Sequence, residues 1–378
     1  QIPPQVQPCV RVVSAWGLGT RAPEWFWLAR YSPLRDGVDI WRRLYKPAQP
    51  GREFAGFSSL LFSCVTKRLV IQTEDLDPAP AAWLAERCEL VRCGTDDKGF
   101  ELLLASAEGM VVRTYTKVDS AMLAKAPKLK VVGRAGVGLD SIDLEACNAR
   151  GVRVVSTPDA NTQAVVEFVW ALIFDALRPR LFLSEALEKS HWVEVRRELR
   201  AAKQIDELTL GVYGLGRIGK RMASVGAALG MRVIYHDLLD IPAELRHDAS
   251  AVSRDELLSS ADILTIHVDG RPSNRELVDA SAFARIKPDV LLINAARGFL
   301  IDNRACAAFF SGHSEAMALL DVHEPEPFGS NYPLLGMENV HLSPHLAAAT
   351  DKAQENMSWV VRDVWRVLNG ESPDHEAK

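Results

Sequence analysis

The sequence predicts an α/β fold of two doubly wound parallel-sheet domains. Three observations carry that prediction. From residue 67 onward, short apolar runs alternate with helical stretches; the connections between them are short; and one apolar run feeds a glycine-punctuated turn that opens a helix. Alternation of this kind places helices on both faces of a parallel sheet, and such sheets bind their ligands at the carboxyl ends of the strands.

The chain's 378 residues leave room for two domains and an ample core. A hydrophobic fraction of 48% and a charged fraction of 25% are those of an ordinary globular protein. The formal net charge of -5 argues against a nucleic-acid partner, whose phosphates call for a basic surface. No run approaches the roughly 20 apolar residues of a membrane span, and no membrane partner is expected. Cys9, Cys64, Cys88, Cys93, Cys147 and Cys306 form neither a CxxC pair nor a metal spacing. They read as reduced thiols of a cytoplasmic protein, with no metal site.

Residues 1–66 differ from the rest: they begin with Gln1, are rich in Pro, Arg, Trp and Ser, and hold no sustained period. This leader is expected to be a disordered extension, or a stretch outside the native protein with translation starting near Val65. The first sheet follows. Its strands are expected at 68–72, 89–92, 109–113, 130–133 and 152–155, with helices at 78–88, 99–107, 120–126 and 144–150. A helix over 161–177, capped by Asn161 or Thr162 and apolar on most sides, is expected to be buried as a bridge between domains. A more polar helical segment and a loop over 181–200 deliver the chain to the second sheet.

That sheet is organised around Leu208-Thr-Leu-Gly-Val-Tyr-Gly-Leu-Gly-Arg-Ile-Gly219, which reads as a strand, a turn and a helix start. In Gly214-x-Gly216-x-x-Gly219 the first glycine permits the tight turn, the second lets backbone approach a pyrophosphate, and the third lets helix and strand pack closely. Amides at the new helix's N-terminus then face the phosphates. The next strand, from Met231, ends at Asp237, where about 20 residues on an acid would meet the ribose hydroxyls. Such a carboxylate accepts from both hydroxyls and repels a 2′-phosphate, so the expected cofactor is NAD rather than NADP.

Beyond Asp237 the alternation resumes. Strands are expected at 263–268, 290–294, 316–321 and 340–342, helices at 253–260 and 303–310, a helical turn at 274–278 and a helix start at 281–285. The last helix is expected to run unbroken over 350–368 and return toward the first domain, leaving a frayed tail at 371–378.

Several polar groups fall at or just past carboxyl ends of strands. Arg297 lies in Ile293-Asn-Ala-Ala-Arg-Gly298, Glu326 in Asp321-Val-His-Glu-Pro-Glu-Pro327, and His345 in Leu342-Ser-Pro-His345. Ketone reduction needs a hydride donor, a proton donor and a positive charge. His345 suits the proton, Arg297 the charge, and a carboxylate beside the histidine raises its pKa toward working pH. On the first sheet Arg113 is placed to clamp an anion, and the backbone around Gly136, Val137 and Gly138 to form a nest for a carboxylate.

From about Arg68 to Gly370 the chain resembles the D-isomer-specific 2-hydroxyacid dehydrogenases, above all their phosphoglycerate dehydrogenase-like branch. The motifs that carry this, in family order, are Arg134-Ala-Gly-Val-Gly-Leu-Asp140, Asn161-Thr-Gln-Ala-Val-Val-Glu167, the glycine turn, Leu292-Ile-Asn-Ala-Ala-Arg-Gly298, Asp321-Val-His-Glu-Pro-Glu-Pro327 and Ser343-Pro-His345. The resemblance implies a flavodoxin-like substrate domain of residues 67–162 and 347–378, with a Rossmann NAD-binding domain of residues 163–346 inserted, and a homodimer. It implies that Arg297 binds the substrate's carboxylate and carbonyl oxygen, that His345 is the acid/base and that Glu326 is its partner. Arg217 and Ile218 would lie against the pyrophosphate and Asp237 against the ribose. Val268, Ala295 and Asp321 would line the cofactor, Asp321 near the carboxamide, while Arg113 and the Gly136-Val-Gly138 loop would receive the substrate.

By the same resemblance the activity is hydride transfer between NAD(H) and a small D-2-hydroxy or 2-oxo acid. 3-Phosphoglycerate is the leading substrate; a glyoxylate or hydroxypyruvate reductase and a phosphite dehydrogenase are the alternatives. A reading from another class is an NAD-binding regulator similar to the C-terminal-binding-protein corepressors. The chain departs from the family pattern in having Asp269-Gly-Arg-Pro272 where Pro-Leu-Thr-Pro is usual, His323 where an aromatic residue is usual, and no Gly-Lys before Leu208.

Overall fold

The computed structural model describes residues 67–178 and 180–377. The leader reading of 1–66, with Cys9 and Cys64, lies outside the described residues.

Two parallel sheets carry the chain. The first holds β1 (Leu69–Gln72), β2 (Glu89–Arg92), β3 (Gly109–Val112), β4 (Val131–Arg134) and β5 (Arg153–Ser156) in the order β2-β1-β3-β4-β5. That is the flavodoxin-like order. Every residue of β3 is buried, as expected of a strand covered on both faces. One of its covers is the helix Val361–Leu368, whose Val361, Val364 and Leu368 join Val70, Val111, Val131 and Val155 in one apolar cluster. Gly133 in β4 permits that approach, because a Cβ there would stand 2.4 Å from Val364 Cγ2. The chain's C-terminal part thus returns to the first sheet.

The second sheet holds β6 (Thr209–Tyr213), β7 (Arg232–His236), β8 (Ser250–Ala251), β9 (Ile263–Ile266), β10 (Leu291–Asn294), β11 (Met317–Leu320) and β12 (Val340–Leu342). Their order is β12-β11-β10-β9-β6-β7-β8. Chain direction across the sheet reverses between β6 and β9, which makes the crevice at the ends of those two strands the ligand position of a Rossmann sheet. The helix Thr162–Leu177 buries Val165, Val166, Val169, Trp170 and Ile173 against Leu210, Val212 and Leu215 of this half. At its first turn Ala164 meets Ala353 and Met357 of the returning segment. Asn161 occupies the N-cap position of this helix, but its side chain makes no capping hydrogen bond.

Three expectations are corrected. The segment 350–368 is two helices, Asp351–Ser358 and Val361–Leu368. The buried Ser358 hydroxyl donates to Gln354 O (2.8 Å) and accepts from Asp77 N (3.0 Å), and a hydroxyl bonded back to its i−4 carbonyl bends a helix. The tail is docked rather than frayed. Glu376 makes an antiparallel bridge to Val155, Ala377 N donates to Val154 O (2.8 Å), and Asp374 N and His375 N donate to the buried Asp363 carboxylate (2.9 and 3.0 Å). β5 is an edge strand whose free backbone groups need partners, and the tail supplies them. The helical turn expected at 274–278 is instead a 3-10 turn at Pro272–Asn274.

Among the described residues no helix is long and apolar enough to cross a membrane. Cys88, Cys93, Cys147 and Cys306 are free and buried.

Candidate active site

The glycine turn takes its shape from steric limits. Gly214 sits at φ +92, and a Cβ on it would stand 2.9 Å from the His267 backbone. At Gly219 a Cβ would stand 2.1 Å from Gly214 O, so the turn and the helix Arg217–Ala228 touch through backbone alone. Gly216 differs: a Cβ there meets nothing within 4 Å, and no side chain caps the helix it opens. The helix's first amides therefore face open space, which suits a pyrophosphate. Asp237 follows β7, its Oδ2 accepting from Leu215 N (2.7 Å) and its Oδ1 from Leu239 N (2.9 Å). These bonds hold the acid beside the turn. Ile218, Val268 and Ala295 are half-buried on the apolar cores next to the same strand ends. Arg217 reaches out to Asp159 in the loop after β5 (2.8 Å). The shape and the donor set fit a dinucleotide.

At the ends of β11 and β12 the chain builds a proton-handling pair. His345 Nδ1 lies 2.8 Å from Glu326 Oε2, while Glu326 Oε1 accepts from His323 N (2.6 Å). The hydrogen bond to Glu326 raises the His345 pKa above its ordinary value, against burial and the nearby positive charge of Arg297. Burial pushes the Glu326 carboxyl up, but the bonds from His345 and His323 outweigh it and hold the group below its usual range. His345 itself is left-handed, with φ +56, and its N–H donates to Asp321 O (2.9 Å) and Ser343 O (3.0 Å). Asp321 is fully enclosed, and its carboxylate accepts from Ser343 Oγ (2.5 Å), Leu346 N (2.8 Å) and Ala347 N (2.8 Å). The residue expected at the cofactor carboxamide thus fastens the turn that carries His345.

Arg297 ties the two sheets together. Its Nε donates to Asp140 Oδ2 (2.8 Å) and its Nη1 to Ala296 O (2.6 Å). Gly138 lies so close that a Cβ on it would stand 1.7 Å from Arg297 Nη2. Gly270, in the departing Asp269-Gly-Arg-Pro272 loop, makes room on the other side, because a Cβ there would stand 2.1 Å from Asp140 Oδ1. The Gly136-Val-Gly138 loop thus meets Arg297, and Gly136 O accepts from Thr157 N (3.2 Å).

Arg113 is placed at the end of β3, donating to Asp75 O (2.9 Å) and to Gln354 Oε1. The amides of Arg113, Thr114, Tyr115 and Thr116 all close on the Glu74 carboxylate. One arginine escaped the sequence reading except as a motif letter. Arg134 ends β4, is largely enclosed, and donates from Nη1 to Ala135 O (2.9 Å), while its buried Nε has no partner. Burial lowers its pKa to about 10; the charges of Arg297 and Arg113 push the same way, and Glu74 and Asp140 oppose them. The signal available was its place as the last residue of β4, paired with Val112, at the carboxyl end where such sheets bind ligands. Among the described residues no group of three or more His, Cys, Asp or Glu is disposed to hold a metal ion.

The chain is similar to known proteins. Residues 170–347 match the family described as D-isomer specific 2-hydroxyacid dehydrogenase, NAD binding domain. The chain is 36% identical over 305 residues to (S)-sulfolactate dehydrogenase of Chromohalobacter salexigens, a match covering 78% of this chain and 96% of that protein. It is 37% identical over 308 residues to D-3-phosphoglycerate dehydrogenase of Mycobacterium tuberculosis, covering 80% of this chain and spanning only 57% of that relative's length. Among solved structures, D-lactate dehydrogenase from Aquifex aeolicus, complexed with NAD and lactic acid, superposes with a TM-score of 0.69 at 27% identity, covering 80% of this chain and 96% of that one.

Proposed function

Because the chain belongs to the D-isomer specific 2-hydroxyacid dehydrogenase family, we propose that it transfers a hydride between NAD(H) and a D-2-hydroxy acid or its 2-oxo acid. The observation that carries this is the 2.8 Å contact of His345 Nδ1 with Glu326, close enough to Arg297 for its charge to be felt. NAD, when bound, supplies or accepts the hydride. In reduction, Arg297 holds the substrate's carboxylate and polarises its carbonyl oxygen, and His345 gives that oxygen a proton. Nδ1 is engaged by Glu326, so the proton leaves from Nε2. In oxidation the same nitrogen takes the hydroxyl proton, and the Glu326 carboxylate steadies the imidazolium that results.

Arg217 and Ile218 supply the helix-end amides for the pyrophosphate. Asp237 takes the ribose and disfavours a 2′-phosphate, and Val268 and Ala295 line the pocket. Residues 67–162 and 347–378 form the substrate domain and residues 163–346 the NAD-binding domain. Within the substrate class we favour 3-phosphoglycerate. Arg134 lies close enough to both Arg113 and Arg297 for their charges to be felt, and an acid with a second anionic group would use more than one of these guanidinium groups. We further propose a homodimer. Leu181, Phe182, Leu183, Trp192 and Val193 are exposed along one segment whose helix Lys189–Glu198 buries no residue, and a second copy is what would cover them. Four buried free thiols suit a cytoplasmic setting.

The test follows NADH absorbance of the full chain with a panel of 2-oxo and D-2-hydroxy acids, including 3-phosphoglycerate, glyoxylate and hydroxypyruvate, and with phosphite. Stereospecific turnover abolished by His345→Asn is expected. Tight NADH binding with no turnover on any member would favour the regulator reading instead.

A further inference from the structure

We propose that His323 is a positioning residue that locks the Glu326 loop to the turn carrying His345; the inference rests on the acid/base assignment of His345. Most of its ring behaves as the aromatic residue usual at this place would. It is buried, standing edge-on to Phe328 (centroids 4.7 Å apart) and to Tyr332 (5.7 Å). A phenyl ring would fill that slot equally well. What only the imidazole adds is Nε2, which lies 2.8 Å from Ser343 O. A carbonyl oxygen can only accept, so Nε2 carries the proton, and Nδ1, buried with no partner, carries the lone pair.

The accepting oxygen matters because it also takes the N–H of His345 (3.0 Å) in its left-handed conformation. The backbone of His323 meanwhile donates to Glu326 Oε1 (2.6 Å), and Glu326 Oε2 meets His345 Nδ1 (2.8 Å). One residue thus bonds to both halves of the pair, its main chain to the carboxylate and its side chain to the imidazole's turn. Gly298, next to Arg297, presses on it from below, since a Cβ there would stand 2.0 Å from the His323 carbonyl carbon. The other charged groups facing His345 are Glu326, Asp321 and Arg297, and His323→Phe leaves all of them in place.

The readout is the titration of the His345 imidazole, followed by nuclear magnetic resonance in the full chain and assigned with His345→Asn. In His323→Phe the midpoint should move toward that of a free imidazole, because the contact with Glu326 slackens. In His323→Gln, whose amide N–H reaches the same carbonyl, it should return. Turnover in the reductive direction should fall about tenfold in kcat with KM held, the scale of one buried hydrogen bond. An unchanged midpoint in a folded His323→Phe would overturn the proposal. Should that variant not fold, the wild-type ring decides: a proton on Nε2 in slow exchange supports the lock, and a proton on Nδ1 removes it. Absence of turnover on the acid panel would sink the oxidoreductase reading and leave the titration to judge this one.

Discussion

Glu326→Gln removes the charge from the acid/base pair. The glutamine has a similar volume, but its single amide oxygen serves either His345 Nδ1 or His323 N, where the carboxylate serves both. A hydrogen bond to a charged group contributes about 1.5–3 kcal/mol. The His345 side chain is 43% exposed, so solvent screens the pair and the low end applies. About 1.5 kcal/mol is roughly a tenfold loss in kcat/KM. The pH dependence gives the sharper test. Glu326 raises the His345 pKa, and reduction requires protonated His345, so wild-type reduction should persist to higher pH before falling through that pKa. In the variant the fall should begin at lower pH. Oxidation requires the neutral ring, so its rise should also begin at lower pH in the variant, toward a lower plateau. The assay is kcat/KM in both directions across pH, at saturating NAD(H). A variant whose limbs coincide with those of the wild type, or whose loss lies wholly in NADH binding, would refute the reasoning.

Other expectations follow from the same geometry. Arg134→Met keeps the enclosed stem and removes the guanidinium, so KM for 3-phosphoglycerate should rise roughly 10-fold or more while KM for glyoxylate changes little; steady-state kinetics on the two acids compares them. Gly219→Ala drives a Cβ to 2.1 Å from Gly214 O. Overpacking of that kind costs about 1–3 kcal/mol, and calorimetry should show a lower Tm together with weaker NADH binding by fluorescence. Asp363→Ala strands the two tail amides that it accepts; a loss of about 3 kcal/mol is expected, read by denaturant unfolding, with residues 371–377 becoming sensitive to protease.

The parts of the fold written in local chemistry were legible. The apolar runs at 69–72 and 109–112 become strands because only a sheet buries such short stretches on both faces, and the glycine turn declares itself through its spacing and through Gly214 and Gly219, where nothing larger fits. Arg297, Glu326 and His345 were legible because each stands just past a strand in a motif of its own. What escaped depends on partners remote in sequence. Arg134 looks like any strand-end arginine until Arg113 and Arg297 are seen around it, and Asp140 gives no hint that it reaches Arg297 across 157 positions. The helix break after Ser358 keeps the apolar phase on both sides, so periodicity passes over it. The tail reads as charged and loose because the edge of β5 that it completes lies more than 200 residues earlier.

The φ of +56 at His345 decides which substitution is interpretable there. Left-handed backbone costs most side chains roughly 1–2 kcal/mol, and asparagine, aspartate and histidine are the non-glycine residues that adopt it most readily. An alanine at 345 would remove the imidazole and also press the Ser343–Ala347 turn toward another backbone basin, so a dead enzyme could not be attributed to chemistry alone. Asparagine removes the proton carrier while remaining at home in that basin. The backbone angle, more than the ring, therefore sets the choice of control for every claim made about this residue.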